Sequence, residues 1–297
     1  MRRVPFVKMH GLANDYVYLD AVTDPTIEQI DLPAMAKRVS DRHRGIGSDG
    51  LIVIGKPTAP GAAVRMRMFN ADGSESEMCG NGVRCVAKFA HDRLGMRDLP
   101  LKVQTGRGIL PITFVATGGK LTSATVDMGE PILESVRIPT IFKQDRVVDY
   151  PLPGHVEGQQ GWTRDCGLVP KLTCVSMGNP HAVFFCADVS KVPLASVGPI
   201  MEKAPFFPQR ANVHFVQVKS PTQATARTWE RGAGITQACG TGACAVLVAG
   251  VLTGRLERAA TITLPGGDLR VSWDEGTRHV YMTGPAEDVF EGTWVIP

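Results

Sequence analysis

The sequence of 297 residues lacks the patterns that identify several common functional classes. Its seven cysteines are an odd number and no two of them are separated by only two residues, which disfavours a zinc site, a dithiol redox site and a disulfide framework. A glycine-rich phosphate loop ending in Lys-Ser or Lys-Thr is also absent. We therefore expect neither a resident metal nor a bound nucleoside triphosphate.

Excess charge and long apolar runs are scarce as well. The net charge is +3 and no basic run with interleaved aromatic residues occurs, so we expect no nucleic-acid partner. The longest apolar segment, Ala243 to Val251, is too short to cross a membrane, and no signal peptide is recognisable after the basic N-terminus. A content of 43% hydrophobic and 21% charged residues is typical of a globular protein, and unpaired cysteines indicate the cytoplasm.

One motif points to a dinucleotide but stands in the wrong context. Gly45-Ile-Gly-Ser-Asp-Gly50 has the glycine spacing of a nicotinamide-binding loop. Such a loop must follow a strand and open a helix, whereas here a charged segment precedes the motif and the apolar strand Leu51 to Ile54 follows it. We therefore predict no nicotinamide site.

The most informative stretch begins at Asn70 and contains Cys79-Gly-Asn-Gly82. Apolar residues follow it at helical spacing, so Cys79 is predicted at the N-terminus of a partly buried helix. Unpaired backbone N–H groups and the helix dipole favour an anion at that point, and we expect them to ease ionisation of the thiol.

The same stretch occurs again near the C-terminus, as Cys239-Gly-Thr-Gly242 followed by a small-residue helix. Asn70 and Glu230 stand at equal distances before their cysteines. Other segments also recur in order, with Asn179 in the place of Asn14. The sequence therefore predicts an α+β fold of two duplicated domains, each with many strands around one central helix: residues 1–126 plus 285–297, and residues 127–284. The tail is predicted to return to the first domain as a strand, and the segment from Gln144 to Cys166 to be a polar insertion with little order.

Two thiols at helix starts indicate a two-base site. If they lie on opposite faces of one molecule, one thiolate removes a proton from carbon and the other thiol donates one, which inverts a stereocentre. Backbone N–H groups of both helices would bind the adjacent carboxylate. Such chemistry needs no pyridoxal, and we expect no cofactor.

Simpler structural explanations exist for each of these residues. A lone cysteine before a helix is usually structural, and only the repeated context favours catalysis. Cys85 and Cys244 fall within the helices and are predicted to be small core residues. His181 fits an ordinary strand histidine equally well, Asn14 fits a turn residue, and Glu230 with Arg231 fits a solvated ion pair.

Taken together, the motifs resemble the diaminopimelate epimerase family over nearly the whole chain. The matching blocks begin at Met9, Asp41, Phe69, Met78, Gly178, Trp229 and Ala238. The resemblance implies cofactor-independent interconversion of LL- and meso-diaminopimelate, in lysine and peptidoglycan precursor synthesis. It also implies two pseudo-symmetric domains, each a strongly curved, barrel-like and mainly antiparallel sheet around its helix, with the active site in the cleft between them, and a homodimer.

The resemblance also assigns residues. Cys79 matches the proton donor and Cys239 the proton acceptor in the LL-to-meso direction, and His181 and Glu230 match residues that tune the thiols. A guanidinium at Arg231 suits the distal carboxylate of the substrate. The residues matching the substrate-binding set are Asn14, Asn70, Gly80, Asn81, Asn179, Asn212, Glu230, Arg231, Gly240 and Thr241.

Two departures and two alternatives accompany this assignment. Gly50 stands where many members of the family carry a substrate-contacting Gln, and Ala13 replaces a common Gly, which is expected to stiffen its turn. The first alternative is a proline racemase or hydroxyproline epimerase with the same thiols; Asn81 and Arg231 disfavour it, because those enzymes tend to have His at the first position and bind no distal carboxylate. The second is a non-catalytic thiol protein that binds metal or senses redox state.

Overall fold

The computed structural model describes residues 1–152 and 161–296 and divides into two compact units. Unit 1 comprises Met1–Asp127 and the residues from Thr283 onward, and unit 2 comprises Met128–Met282. This division runs close to the one predicted from the repeat. In the described residues, no helix is long and apolar enough to span a membrane.

Unit 1 is built mainly of strands. The last strand pairs antiparallel with the first along nearly its whole length, which confirms the predicted return of the tail. The strands of the first half and the tail are β1 (Arg2–Gly11), β2 (Asn14–Asp20), β3 (Gly50–Gly55), β4 (Val64–Asn70), β5 (Glu75–Ser76), β6 (Leu101–Thr105), β7 (Gly108–Thr117), β8 (Lys120–Asp127) and β18 (Glu287–Ile296). The helices are α1 (Leu32–Ser40) and α2 (Gly80–Arg93), with a 3-10 turn at Pro25–Gln29.

Unit 2 has the same mixture of strands and few helices. Its strands are β9 (Tyr150–Pro151), β10 (Lys171–Ser176), β11 (Pro180–Phe185), β12 (Asn212–Ser220), β13 (Gln223–Glu230), β14 (Gly234–Ile235), β15 (Ala259–Leu264) and β16 (Gly267–Trp273). Strand β17 (Val280–Pro285) begins in unit 2 and ends in unit 1. Its helices are α3 (Trp162–Asp165), α4 (Leu194–Glu202) and α5 (Gly240–Leu252), with a 3-10 turn at Val189–Lys191.

The order of strand pairing shows the duplication directly. From β1 to β7, successive partners are antiparallel, parallel, antiparallel, antiparallel, parallel and antiparallel. From β10 to β16 the pairings follow the same order of directions. The fold is therefore a duplicated α+β architecture, as the sequence predicted.

The two long helices, α2 and α5, lie inside their units and not on the surfaces. Every residue of α2 from Gly80 to His91 is buried, so the prediction of a partly buried helix was wrong in degree. Strands on several sides pack against α2, including β1 and β8. The helix can carry cations inside because Arg84 donates to the carbonyls of Gly80 and Pro285, and Lys88 donates to Leu121 and pairs with Asp92.

The helix α5 is almost purely apolar and small, and ten of its thirteen residues are buried. It packs against β10, β15 and β16. A helix that is apolar on all sides belongs in a core. Cys85 and Cys244, one in each of these helices, are fully buried, which confirms them as core residues.

The predicted insertion from Gln144 to Cys166 contains residues 153–160, which lie outside the described residues. Its described parts are ordered, contrary to the prediction. Tyr150 and Pro151 form a strand paired with β10, and Val147, Leu152 and Cys166 are buried in the core of unit 2. These apolar residues supply the burial that a polar insertion would lack.

Candidate active site

Cys79 is the N-cap residue of α2, which confirms its predicted place at a helix start. Its backbone is extended, and its sulfur accepts a hydrogen bond from the backbone N–H of Gly82 at 3.4 Å. A Cβ at Gly82 would come within 2.7 Å of the end of the Ile52 side chain, which would have to shift to admit a larger residue. The sulfur therefore meets the N–H groups of the first helical turn directly.

Asn14 lies beside Cys79 and links it to a carboxylate. Its carbonyl oxygen accepts hydrogen bonds from the Cys79 sulfur at 3.2 Å and from the Asn81 amide at 3.3 Å. Its own amide donates to Asp49 at 2.8 Å. An acceptor facing the sulfur favours the protonated thiol, since a thiolate has no proton to donate.

Charged groups behind Asn14 hold this arrangement in place. Asp15 pairs with the buried Lys8 at 2.6 Å and with Arg42 at 2.8 Å, and Arg42 also reaches Asp49 at 2.9 Å. Asn14 is the first residue of β2 and not a turn residue; the turn consists of Leu12 and Ala13, both at positive φ. Left-handed backbone is restrictive for a residue with a Cβ, and Ala13 adopts it. This conformation is the structural basis for the expected stiffening of the turn.

The ionisation of Cys79 differs from the sequence prediction. Burial raises the pKa of its thiol, and this effect outweighs the opposing influence of the Gly82 and Asn81 N–H groups, the Tyr16 hydroxyl and the Arg84 charge. The N–H groups of the helix start do ease ionisation, as expected, but the sequence did not predict the larger opposing effect of burial. The helix start only reduces the cost of removing a thiolate from water.

Asn70 and Gly50 stand opposite each other at the ends of two paired strands. The Asn70 amide donates to the Ser74 hydroxyl at 2.9 Å. A Cβ at Gly50 would lie 2.2 Å from the carbonyl oxygen of Phe69 and 2.9 Å from the Tyr16 ring. This backbone therefore has no room for a side chain at position 50, including the Gln expected there from the family resemblance.

Cys239 occupies the corresponding position in unit 2, as the N-cap of α5. It is 4% exposed, whereas Cys79 is partly exposed. The Thr241 hydroxyl lies 3.7 Å from its sulfur. Here a side-chain hydroxyl, which can donate a hydrogen bond, takes the place of the amide carbonyl that faces Cys79.

Glu230 is the acidic neighbour of Cys239. Burial raises the pKa of the Cys239 thiol well above its usual value, and the negative charge of Glu230 raises it further. The Thr241 hydroxyl and the Gly242 N–H act in the opposite direction. Thr236 donates to the Glu230 carboxylate at 2.5 Å and so fixes its orientation. A carboxylate in contact with a buried thiol is positioned to accept its proton.

His181 is fully buried, and both of its ring nitrogens have partners in unit 2. Nε2 lies 3.0 Å from Oδ1, the side-chain amide oxygen of Asn179, and Nδ1 lies 2.8 Å from Nε2 of His214. The Asn179 amide in turn donates to Thr241 at 3.4 Å. His181 thus reaches Cys239 through Asn179 and Thr241, and its pKa is lowered well below the usual value by burial and by the His214 and Arg231 charges.

Asn212 and Arg231 form the far side of this half of the site. The buried Asn212 side chain donates to the carbonyl of Pro180 at 3.0 Å and accepts from the backbone N–H of Arg231 at 2.9 Å. The exposed Arg231 guanidinium donates to the Gln209 carbonyl at 3.0 Å. Asn212 therefore positions the backbone at Arg231, whose fork has further N–H donors for a ligand.

The structure thus joins part of the predicted residues into one set in each unit; among the described contacts, Asn70, Asn212 and Arg231 are bonded elsewhere. Asn14, Cys79 and Asn81 contact one another in unit 1, and Cys239 is linked to Glu230, Thr241, Asn179 and His181 in unit 2. Sequence reasoning missed four members that hold these side chains: Tyr16, Asp49, His214 and Thr228. Asp49 lay within the rejected glycine motif, where its acidity was a usable signal.

Comparisons with known proteins agree with this arrangement. The family model described as diaminopimelate epimerase matches residues 6–134 and 173–289. A diaminopimelate epimerase of Acetivibrio thermocellus is 49% identical over 97% of this chain and 97% of its own length, and one of Moorella thermoacetica is 47% identical over 97% and 98%. In fold, the chain resembles a phenazine biosynthesis protein of the PhzF family from Enterococcus faecalis, with a TM-score of 0.68, 14% identity, and coverage of 99% of this chain and 100% of that one.

Proposed function

This chain belongs to the diaminopimelate epimerase family, and we propose that Cys79 and Cys239 are the acid and the base with which it inverts one α-carbon of its substrate. The reaction is the isomerisation of LL- to meso-diaminopimelate, a step of lysine and peptidoglycan precursor synthesis. The observation that carries the proposal is that a cysteine caps the central helix of each duplicated unit.

In the LL-to-meso direction, the Cys239 thiolate removes the α-proton and the Cys79 thiol donates a proton to the opposite face. The surroundings of the two sulfurs support this division of roles. The Asn14 carbonyl accepts the Cys79 proton and so favours a thiol there. At Cys239 burial and Glu230 raise the pKa, and the Thr241 hydroxyl and the Gly242 N–H, which lower it, are the groups that would support a thiolate. The reverse reaction exchanges the two roles.

Removal of an α-proton places negative charge on the adjacent carboxylate. Backbone N–H groups at the starts of both helices, at Gly80, Asn81, Gly240 and Thr241, are the donors that would bind it. Such donors are most effective where charge develops in the transition state, and a helix start already provides them unpaired. This route needs no pyridoxal cofactor.

The distal end of diaminopimelate carries a second carboxylate and a second ammonium group. Arg231 would bind that carboxylate in a bidentate manner, since its guanidinium is exposed and, within the described part of the chain, its hydrogen bond goes to one backbone carbonyl. Glu230 and the amide oxygens of Asn14, Asn70, Asn179 and Asn212 are the groups suited to the ammonium ions. In this scheme His181 and Glu230 also tune the thiols.

We further infer that the two units are the N-terminal and C-terminal epimerase domains, and that the enzyme acts as a cytoplasmic homodimer. Three apolar residues on β18, namely Val289, Phe290 and Val295, are between 44% and 52% exposed and would supply an apolar contact for a second copy. Light scattering should then give about twice the 32.0 kDa mass of one chain, and a monomeric mass at micromolar concentration would contradict the dimer.

The roles of the two cysteines can be separated by removing one at a time. With Cys79→Ala, the remaining base Cys239 should exchange the α-hydrogen of the L-centre for solvent deuterium without inverting it. With Cys239→Ala, Cys79 should exchange only the hydrogen of the D-centre of meso-diaminopimelate. Proton NMR of each isomer in heavy water would measure both.

Cys85→Ala serves as the matched control for these two variants, because Cys85 is a buried cysteine one turn and a half into α2 and should leave inversion intact. Inversion by either single-cysteine variant at the rate of the parent would remove that cysteine from the chemistry.

The substrate assignment rests on Arg231. Replacing Arg231 with Met keeps most of the apolar stem and removes the guanidinium fork. The fall in kcat/KM for diaminopimelate should correspond to a loss of about 2–5 kcal/mol of transition-state binding, the range seen when one member of a desolvated charge pair is removed. Arg258→Met is the control, since Arg258 pairs with Glu275 and stacks on Trp273. Undiminished activity of Arg231→Met would exclude this contact, and turnover of proline by the parent would favour the racemase alternative.

A further inference from the structure

Six side chains of unit 2 form a continuous line of hydrogen bonds that ends at the Cys239 sulfur. Two of them, His214 and Thr228, have no role in the chemistry described above. The successive heavy-atom distances are Thr228 Oγ1 to His214 Nδ1, 2.9 Å; His214 Nε2 to His181 Nδ1, 2.8 Å; His181 Nε2 to Asn179 Oδ1, 3.0 Å; Asn179 Nδ2 to Thr241 Oγ1, 3.4 Å; and Thr241 Oγ1 to Cys239 Sγ, 3.7 Å.

Strand register accounts for the far half of this line. His214 and Thr228 are directly opposite each other in the antiparallel pair β12–β13. His181 lies on the neighbouring strand β11, which runs parallel to β12. In that parallel pair His181 faces Asn212, which is two residues before His214. Positions two residues apart on a strand point to the same side of the sheet, so His181, His214 and Thr228 share one face.

The far half of the line, from His181 to Thr228, is buried, whereas Asn179 and Thr241 next to the sulfur are partly exposed. His181 and His214 are fully buried and Thr228 is 3% exposed. The start of α5 packs against the His214 ring, since a Cβ at Gly242 would come within 2.4 Å of that ring and 3.0 Å of the Cys239 sulfur. A buried polar group must have its partner within the protein, so each of these hydrogen bonds is costly to break.

Both imidazoles are neutral in this setting. Burial lowers the pKa of His214 to about 3. Burial also lowers the pKa of His181 well below its usual value, with further lowering from the neighbouring His214 ring and the positive charge of Arg231. A neutral imidazole has one donor and one acceptor nitrogen. In each ring, therefore, if one nitrogen donates a hydrogen bond, the other must accept one, and this fixes the roles of the next group along the line.

The side-chain oxygen of Asn179, Oδ1, determines which nitrogen of each ring is the donor. Since it can only accept, His181 must donate from Nε2 and accept at Nδ1. His214 must then donate from Nε2 and accept at Nδ1, where the Thr228 hydroxyl is the donor. At the other end the Asn179 amide donates to Thr241, which leaves the hydrogen of that hydroxyl for the Cys239 sulfur.

We propose that Thr228 and His214 are positioning residues that hold His181 in the tautomer donating to Asn179, so that the Asn179 amide stays on Thr241 and the Thr241 hydroxyl donates to the Cys239 sulfur and stabilises its thiolate. The inference rests on the proposed role of Cys239 as a base. Its physical content is that a donor aimed at the sulfur offsets the loss of water around a buried thiolate. The effect originates at the Thr228 hydroxyl, which is four side chains along the line from Thr241.

The tautomers of the two rings test the direction without any change to the chain. Two-bond 15N–1H correlation spectra of the 15N-histidine-labelled protein should show both His181 and His214 protonated on Nε2. Loss of a signal pair in His181→Gln and in His214→Gln would assign them among the seven histidines. If both rings were protonated on Nδ1, the line would run the other way and the proposal would be overturned.

A second test measures the thiolate itself. In the Cys79→Ala background, Thr228→Val should slow alkylation of Cys239 by iodoacetamide roughly fivefold at fixed pH, the factor expected for one hydrogen bond. Thr228→Ser should restore the rate because it restores the donor. Glu230 beside Cys239 and Arg231 beside His181 are unchanged in all these variants, so the shift reports on the line alone.

Thr173→Val is the control, because Thr173 is equally buried in β10 and its hydroxyl accepts only from the Asp149 backbone N–H among the described contacts. An unchanged alkylation rate in Thr228→Val would overturn the proposal and leave the epimerase assignment intact. Conversely, the predicted tautomers and rates combined with full inversion by Cys239→Ala would refute the proposed base and leave the line of hydrogen bonds in place.

Discussion

The cost of removing a thiolate from water is the constraint on which the two candidate half-sites depend. Burial raises the pKa of both Cys79 and Cys239, and it is the largest influence on each. A carbon acid cannot be deprotonated by a sulfur that stays protonated, so the fold must return part of the lost hydration. Capping a central helix with each cysteine does this, because the first-turn N–H groups have no other partner within the helix.

The two cysteines differ in the hydrogen-bonding groups that face their sulfurs. Cys79 faces an acceptor, the Asn14 carbonyl, whose amide is in turn held by Asp49. Cys239 faces the Thr241 hydroxyl on one side and the Glu230 carboxylate on the other, which gives its proton a destination and its thiolate a donor. A duplicated scaffold therefore supplies two equivalent helix starts, and a few side chains give the two sulfurs different hydrogen-bonding partners.

Much of this architecture could be predicted from the sequence because it depends on local pattern. Cys-Gly-x-Gly before an apolar segment located both helix starts, and the repeat predicted duplicated units. Burial of α2 was underestimated, because Arg84 and Lys88 look like surface residues until their carbonyl partners are known. His214 and Thr228 were missed because their contact exists only through cross-strand register, and Cys79 was expected to ionise readily because sequence patterns do not report desolvation.

The central claim is that two different sulfurs serve the two faces of one α-carbon. The measurement that tests it most directly follows the first turnovers of LL-diaminopimelate by the unmodified enzyme in heavy water, with deuterium quantified separately in substrate and product. Two bases predict deuterium in the newly formed meso isomer while the remaining LL isomer stays unlabelled, since the donor thiol has exchanged with solvent and the acceptor holds the abstracted proton. Equal early labelling of both isomers would require a single base and would contradict the account.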